Sequence, residues 1–203
     1  HHSIRLYTRK CEMIILVDNY DSFTYNLFQY IGNFYSDVNV YKNDDNFLDN
    51  LDCSKLKAII FSPGPGKPSS AGKMPKIIDY YKFKVPLLGI CLGHQAIIES
   101  FGGEIQNAKN VCHGKVHEIH HNSNCLMFND IKTNFYGTRY HSLVASEINF
   151  PECLEITART IKDGEIMAIK HKAHHIYGLQ FHPESIETIY GMQMIENFIN
   201  AVK

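Results

Sequence analysis

The residues best suited to chemistry lie in two short stretches and a loop. The first stretch reads Pro86-Leu87-Leu88-Gly89-Ile90-Cys91-Leu92-Gly93-His94-Gln95. An apolar strand runs straight into a helix, Cys91 stands on the joint, and a glycine sits two residues to either side. This is the nucleophile-elbow pattern with Cys in the place of Ser. The sharp joint forces a strained backbone, and only small neighbours leave room for the turn. The sulfur is thereby exposed at the carboxyl end of a sheet strand, where open α/β folds bind ligands. The helix N-terminus beside it favours an anionic sulfur, and the N–H of Leu92, in the first helical turn, is placed to donate to an oxyanion. A buried structural cysteine between two turn glycines is the competing explanation.

The second stretch is Gly178-Leu179-Gln180-Phe181-His182-Pro183-Glu184-Ser185. Residues 178–181 read as a strand, and Pro183 cannot continue a central ladder, so His182 falls where the strand ends. Residues i and i+2 of an extended chain point to the same side, so His182 and Glu184 project together. A carboxylate so placed can orient an imidazole and stabilise its charged form. Alone, the stretch reads better as a solvated His-Pro-Glu turn; beside the elbow, it completes a Cys-His-Glu triad. The loop is Phe61-Ser62-Pro63-Gly64-Pro65-Gly66-Lys67-Pro68. Its prolines stiffen it and its glycines leave N–H groups exposed, which suits a second wall of an oxyanion hole. A phosphate-binding loop is excluded because no Gly-Lys-Ser/Thr opens a helix here.

The elements that must position these groups alternate regularly. Strands are expected over residues 13–17, 38–41, 58–61 and 86–90, helices over 22–32, 74–81 and 92–101, and a short helical turn over 47–51. Short apolar strands alternating with helices imply βαβ units and a mostly parallel sheet. From about residue 104 the pattern changes to strand-like pieces at 114–119, 134–140, 154–160, 166–171 and 176–181, closed by a helix over 190–202. No linker, repeat or low-complexity stretch interrupts the chain, so one α/β domain with an antiparallel portion is expected over 13–203. Residues 1–12 read as tag-derived, because His1-His2-Ser3 looks like a purification-tag stump and Met13 opens the first strand.

Bulk composition limits the partners. The 203 residues carry 20 Lys+Arg against 21 Asp+Glu and are 44% hydrophobic, which fits an ordinary globular domain and excludes a disordered chain. Without residues 1–12 the net charge becomes about −3 on the same counting. This balance argues against nucleic acid as a partner, and no apolar run is long enough for a membrane helix. Six cysteines, at 11, 53, 91, 112, 125 and 153, form no C-x-x-C pair. With no visible signal peptide, a reduced, cytoplasmic chain is expected. His113, His117, His120 and His121 cluster, as do His171, His174 and His175. Clustering in sequence does not supply converging ligands, so these read as polar surface or turn histidines and no metal site is expected.

Taken in this order, the elbow, the Pro-Gly-Pro-Gly loop and the His-Pro-Glu stretch resemble the class I glutamine amidotransferases, the triad-type glutaminase domains. Asp18-Asn19-Tyr20-Asp21-Ser22-Phe23-Thr24-Tyr25-Asn26, Arg139-Tyr140-His141-Ser142-Leu143 and Phe181-His182-Pro183-Glu184-Ser185-Ile186 narrow the resemblance. They are similar to the small subunits of chorismate-using synthases, both anthranilate synthase component II and the glutaminase of aminodeoxychorismate synthase. The match runs from Met13 to the C-terminus and implies a flavodoxin-like α/β fold: a single domain with an open, mostly parallel central sheet flanked by helices.

The resemblance also implies roles. Cys91 attacks the side-chain amide of L-glutamine, His182 moves the protons, and Glu184 holds His182. The N–H groups of Leu92 and Gly64 stabilise the oxyanion. Gln95, Ser142 and Leu143 hold the amino-acid end of glutamine, while Pro65 and Gly66 shape the pocket. His113-Gly114-Lys115 matches a family loop near the partner. The implied partner is a chorismate-binding synthase subunit that itself carries Mg²⁺, with no cofactor in this subunit. Little glutaminase activity is then expected from this chain by itself. The motifs are common to the tryptophan and folate branches. The alternatives are a non-catalytic scaffold or regulator with the same fold, and a stand-alone γ-glutamyl hydrolase; the latter leaves the 18–26 and 139–143 motifs unexplained.

Overall fold

The structure, a computed structural model, describes residues 12–203. The expected tag-derived segment therefore lies, Glu12 aside, outside the described residues. Strand and helix alternate first, as β1 (Met13–Asp18), α1 (Thr24–Gly32), β2 (Val38–Lys42), β3 (Leu56–Phe61), α2 (Met74–Tyr81), β4 (Leu87–Ile90) and α3 (Leu92–Ser100). Strands then dominate: β5 (Ile105–Asn107), β6 (Lys115–His121), β7 (Asn134–Arg139), β8 (Leu143–Ala145), β9 (Leu154–Thr160), β10 (Ile166–His171) and β11 (Ile176–Leu179). Helix α4 (Gly191–Val202) closes the chain.

Nine strands form one sheet in the order β2-β1-β3-β4-β11-β10-β9-β6-β7. Pairing is parallel from β2 through β11 and antiparallel from β11 to β7. The apolar runs explain the parallel half, whose strands are covered on both faces. Along β1, Ile14 and Leu16 pack with α1 and α4, while Ile15 and Val17 pack on the opposite face with α2 and α3. Helix α3 is buried all round from Leu92 to Ile98 because it lies between β4 and its neighbours on one side and α2 on the other.

One consequence of this order positions the chemistry. Strands β3, β4 and β11 are adjacent and parallel, so their carboxyl ends share one edge. The Pro-Gly-Pro-Gly loop follows β3, Cys91 follows β4, and His182 follows β11. The antiparallel β7 delivers residues 140–143 to the same place: the His182 backbone N–H donates to Thr138 O at 2.9 Å.

The sequence-based boundaries shift where side chains compete with the backbone. Helix α1 starts at Thr24 rather than at 22. Asp18 accepts from Asp21 N at 3.1 Å and from Thr24 Oγ1 at 2.9 Å, and Asp21 accepts from Phe23 N at 3.1 Å. These local bonds hold residues 18–23 as a loop. Strand β6 runs two residues past the expected end at 119, pairing His120 with Asn134 and His121 with Ala158. The two-stranded β5–β8 ribbon, three residues on each side, has no counterpart in the expected elements.

Candidate active site

Cys91 has φ 53° and ψ −100°, the strained joint expected of an elbow. Its N–H still donates to Leu179 O at 2.7 Å, so β-pairing continues up to the turn. The intrahelical ladder starts with Gln95 N–H on Cys91 O at 3.0 Å. Leu92 thus lies in the turn whose N–H groups have no ladder partner. The flanking glycines are sterically required: a Cβ on Gly89 would meet the Gly93 carbonyl carbon and oxygen at 2.4 Å, and one on Gly93 would meet Phe61 at 2.7 Å. Strand and helix approach so closely that any side chain would push Cys91 out of place.

His182 and Glu184 are both 2% exposed, so the pair is desolvated. His182 Nδ1 lies 2.5 Å from Glu184 Oε1. Burial works against charge on the ring, yet the Glu184 carboxylate and the Cys91 thiol together raise the His182 pKa well above its ordinary value. Nε2 makes no hydrogen bond among the described residues, which leaves it available for a proton from sulfur. Two rings wall the imidazole in: Phe23 edge-on at 5.8 Å and Tyr140 at 5.1 Å between centroids. Phe23 comes from the 18–26 motif, and Asn19 of that motif fixes the opposing loop. Asn19 N donates to Ser62 Oγ at 2.9 Å and its Nδ2 to Ser62 O at 2.8 Å. A Cβ on Gly64 would strike Asn19 at 2.6 Å, so this position has room only for hydrogen.

A cavity of about 220 Å³ opens beside Cys91. Gly64, Pro65, Gly66, Leu92, Gln95, Ser142 and Leu143, each expected to bind substrate, all border it. His182 and Glu184 stand behind Cys91 rather than in its wall. Val111, Cys112, His113, Tyr140 and His141 complete the rim. Gln95 is fixed by its Nε2, which donates to Leu143 O at 3.1 Å and to Gln180 Oε1 at 3.2 Å. Gln180 in turn places its Nε2 3.5 Å from Cys91 Sγ. Sequence reasoning passes over Gln180, although the alternation that pairs His182 with Glu184 reaches back to it.

It also passes over the hub behind the 140–143 wall. Arg139 is fully buried and ion-paired to Glu165, with Asp163 at 3.4 Å. Its Nη1 meets His117 Nδ1 at 2.9 Å, and its Nε donates to His141 Nε2 at 2.9 Å. An arginine can only donate, so His141 Nε2 must accept and its proton sits on Nδ1. Nδ1 then donates to Leu143 O at 2.9 Å. Burial, then the adjacent guanidinium, push the His141 pKa down to about 4, so the ring is a neutral strut.

The reading of the clustered histidines as surface or turn residues holds for His113, His120, His174 and His175, which are exposed, and needs correction at His121. His121 is 2% exposed, stacked on Phe128 and hydrogen-bonded through Nε2 to Ile131 O at 3.0 Å. His117 joins the arginine hub, and His113 borders the cavity. The period of two along β6 turns His117, Ile119 and His121 inward together, while His120 is exposed. The second cluster packs as rings: His171 lies 5.0 Å from His174 and 5.2 Å from Phe101. Among the described residues, no group of three or more His, Cys, Asp or Glu side chains could hold a metal ion. Nor is any helix among them long and apolar enough to cross a membrane.

Fold and cavity together define an α/β protein with a cysteine at a strand–helix elbow, backed by a buried histidine–carboxylate pair. The sequence profile of the class-I glutamine amidotransferases matches residues 15–202, and the chain belongs to that family. It is 53% identical over 190 residues to anthranilate synthase component 2 of Lactococcus lactis, covering 94% of this chain and 95% of that one. It is 42% identical over 191 residues to the aminodeoxychorismate/anthranilate synthase component 2 of Bacillus subtilis, covering 94% and 97%. Among solved structures, one named for GMP synthase, from Thermoplasma acidophilum, superposes with a TM-score of 0.82 at 24% identity, covering 98% of this chain and 94% of that one. At that identity the likeness shows the fold alone.

Proposed function

We propose that this chain hydrolyses L-glutamine at Cys91 and passes the ammonia to a chorismate-binding synthase subunit. The observation that carries the reading is the strained Cys91 at the edge of a cavity of about 220 Å³, with the His182–Glu184 pair 2.5 Å apart behind it. The Cys91 thiol gives its proton to His182 Nε2, and the sulfur adds to the glutamine amide carbon. The resulting oxyanion is held by the N–H groups of Leu92 and Gly64. His182 returns the proton to the departing ammonia, leaving a γ-glutamyl thioester. His182 then takes a proton from water as it attacks the thioester, the C–S bond breaks, and His182 returns the proton to the Cys91 sulfur as glutamate leaves. Glu184 stabilises the imidazolium at both stages.

Free ammonia is lost to protonation in water, so this half-reaction is useful only beside an acceptor. The surface around the cavity suits a protein partner. Val111 on its rim is 67% exposed, Tyr25 next to the Phe23 wall is 67% exposed, and Ile186 and Ile189, just past Glu184, are 90% and 75% exposed. We read these exposed apolar side chains, on the segments that carry the site, as surface for a protein partner to cover. The relatives named as second components of anthranilate and aminodeoxychorismate synthases support a chorismate-using acceptor of either kind. In this reading the chain needs no cofactor of its own, and Mg²⁺ belongs to the partner.

A diazo-ketone analogue of glutamine tests the reading. It should alkylate Cys91 alone, and labelling should vanish in Cys91→Ser. Cys125, whose thiol burial pushes up to about 11, should stay unmodified. Label spread over Cys53, Cys112 and Cys153 would sink the enzyme reading and leave a scaffold.

A further inference from the structure

Gln180 is wholly buried and does not border the glutamine cavity, yet its side chain ends on the reacting sulfur. The orientation of its amide follows from one backbone carbonyl. Leu143 O can only accept, so the Gln95 atom 3.1 Å from it is the nitrogen Nε2. That same nitrogen lies 3.2 Å from Gln180, which must therefore turn Oε1 toward it. The Gln180 atom 3.5 Å from Cys91 Sγ is then the donor Nε2.

Besides the His182 ring, the sulfur has Tyr140 O as a polar neighbour, at 3.7 Å. A carbonyl can receive the S–H of a neutral thiol but repels a thiolate. The Gln180 amide does the reverse: it has nothing to accept with on that side and favours a sulfur that carries charge. The two groups favour opposite states of Cys91, and Gln180 sits on the reactive one. Its backbone is pinned by its own N–H on Met167 O at 2.8 Å, so the donor is held in place before substrate arrives.

We propose that Gln180 is a catalytic residue, whose side-chain N–H donates to Cys91 Sγ and stabilises the thiolate as the sulfur proton passes to His182 Nε2. The proposal rests on Cys91 being the nucleophile. It also gives the Leu143–Gln95–Gln180–Cys91 chain a direction. Gln95 Nε2 occupies Gln180 Oε1, so a change at the substrate-facing Gln95 is felt at the sulfur.

The test uses the full chain with Gln180→Met and Gln180→Glu, both close in size to glutamine. Iodoacetamide, a small electrophile needing no glutamine site, is applied near neutral pH, and alkylation of the Cys91 peptide is followed by mass spectrometry. Loss of one hydrogen bond to a charged group should slow Cys91 alkylation about ten-fold in Gln180→Met. Gln180→Glu, which puts a like charge beside the thiolate, should be slower still. With the diazo-ketone analogue, the maximal inactivation rate should fall while the half-saturating concentration stays where it is. An unchanged iodoacetamide rate overturns the proposal. So does a raised half-saturating concentration with an intact maximal rate, the signature of a residue that only holds Gln95. Should Gln180→Met melt below the assay temperature, Gln180→Glu decides by the same two readouts. Wild-type chain that reacts with iodoacetamide at Cys91 but ignores the analogue would count against the glutaminase reading instead.

Discussion

Glutamine turnover by a Cys91→Ser chain will fall by about 10⁴-fold or more, with folding stability unchanged within about 1 kcal/mol. The substitution changes one atom at a site where the backbone, at φ 53°, is set by Gly89 and Gly93 rather than by the side chain. An alkoxide is far harder to generate than a thiolate, and the His182–Glu184 pair is built to take a proton from sulfur. Turnover with the synthase partner present, measured by glutamate release, beside a urea melt of the chain alone, separates loss of chemistry from loss of fold. Residual activity within ten-fold of wild type would mean that the amide is cleaved elsewhere.

The largest effect on stability is expected at Arg139. Removing it as Arg139→Met should cost about 3–5 kcal/mol, because Glu165 and Asp163 keep their charges in a buried pocket without the guanidinium. Adding Glu165→Met to that variant should restore part of the loss, since the penalty lies in the stranded carboxylate rather than in a missing attraction. A pH series gives a second readout. His141 has a folded pKa of about 4, below the ordinary 6.5, so the unfolded chain binds its proton first. Stability is therefore lost as pH falls from about 6.5 toward 4, by at most about 1.4 kcal/mol per pH unit for this one group. Burial, the larger cause, persists in Arg139→Met, but the guanidinium no longer adds to it. The acid loss from this group should become shallower. Urea melts across that range that leave the two proteins parallel, or a variant as stable as wild type, would contradict the role given to the hub.

Much of this site is legible in the sequence because its chemistry is local. The elbow compresses strand, joint, glycines and helix start into five residues, and the His182–Glu184 pair follows from the period of two in extended chain. The parallel half of the sheet is legible for a related reason: strands covered on both faces read as unbroken apolar runs. What escapes depends on partners distant in the chain. Gln180 and Gln95 are separated by 85 residues, and Arg139 and Glu165 by 26. No pattern of residue types announces that a glutamine beside a strand end will meet a sulfur, or that an arginine will be buried. His121 of β6 runs against the expectation that polar residues stay at the surface, because period-two alternation carries it into the interior beside Ile119, while His117 stays half-buried against Arg139. The β5–β8 ribbon is too short for any periodicity; the bond from Ser146 N–H to Glu104 O at 2.9 Å continues its ladder by one residue pair.

Cys91 should carry glutamine through a covalent intermediate that acid-quenched peptide mass spectrometry can trap. A chain mixed with glutamine and its synthase partner, quenched during turnover, should carry a γ-glutamyl group on the Cys91 peptide. The group should be labile to hydroxylamine, as a thioester is, and absent from Cys91→Ser. Glutamate released at full rate with no adduct on Cys91, or with the adduct on another cysteine, would contradict the account.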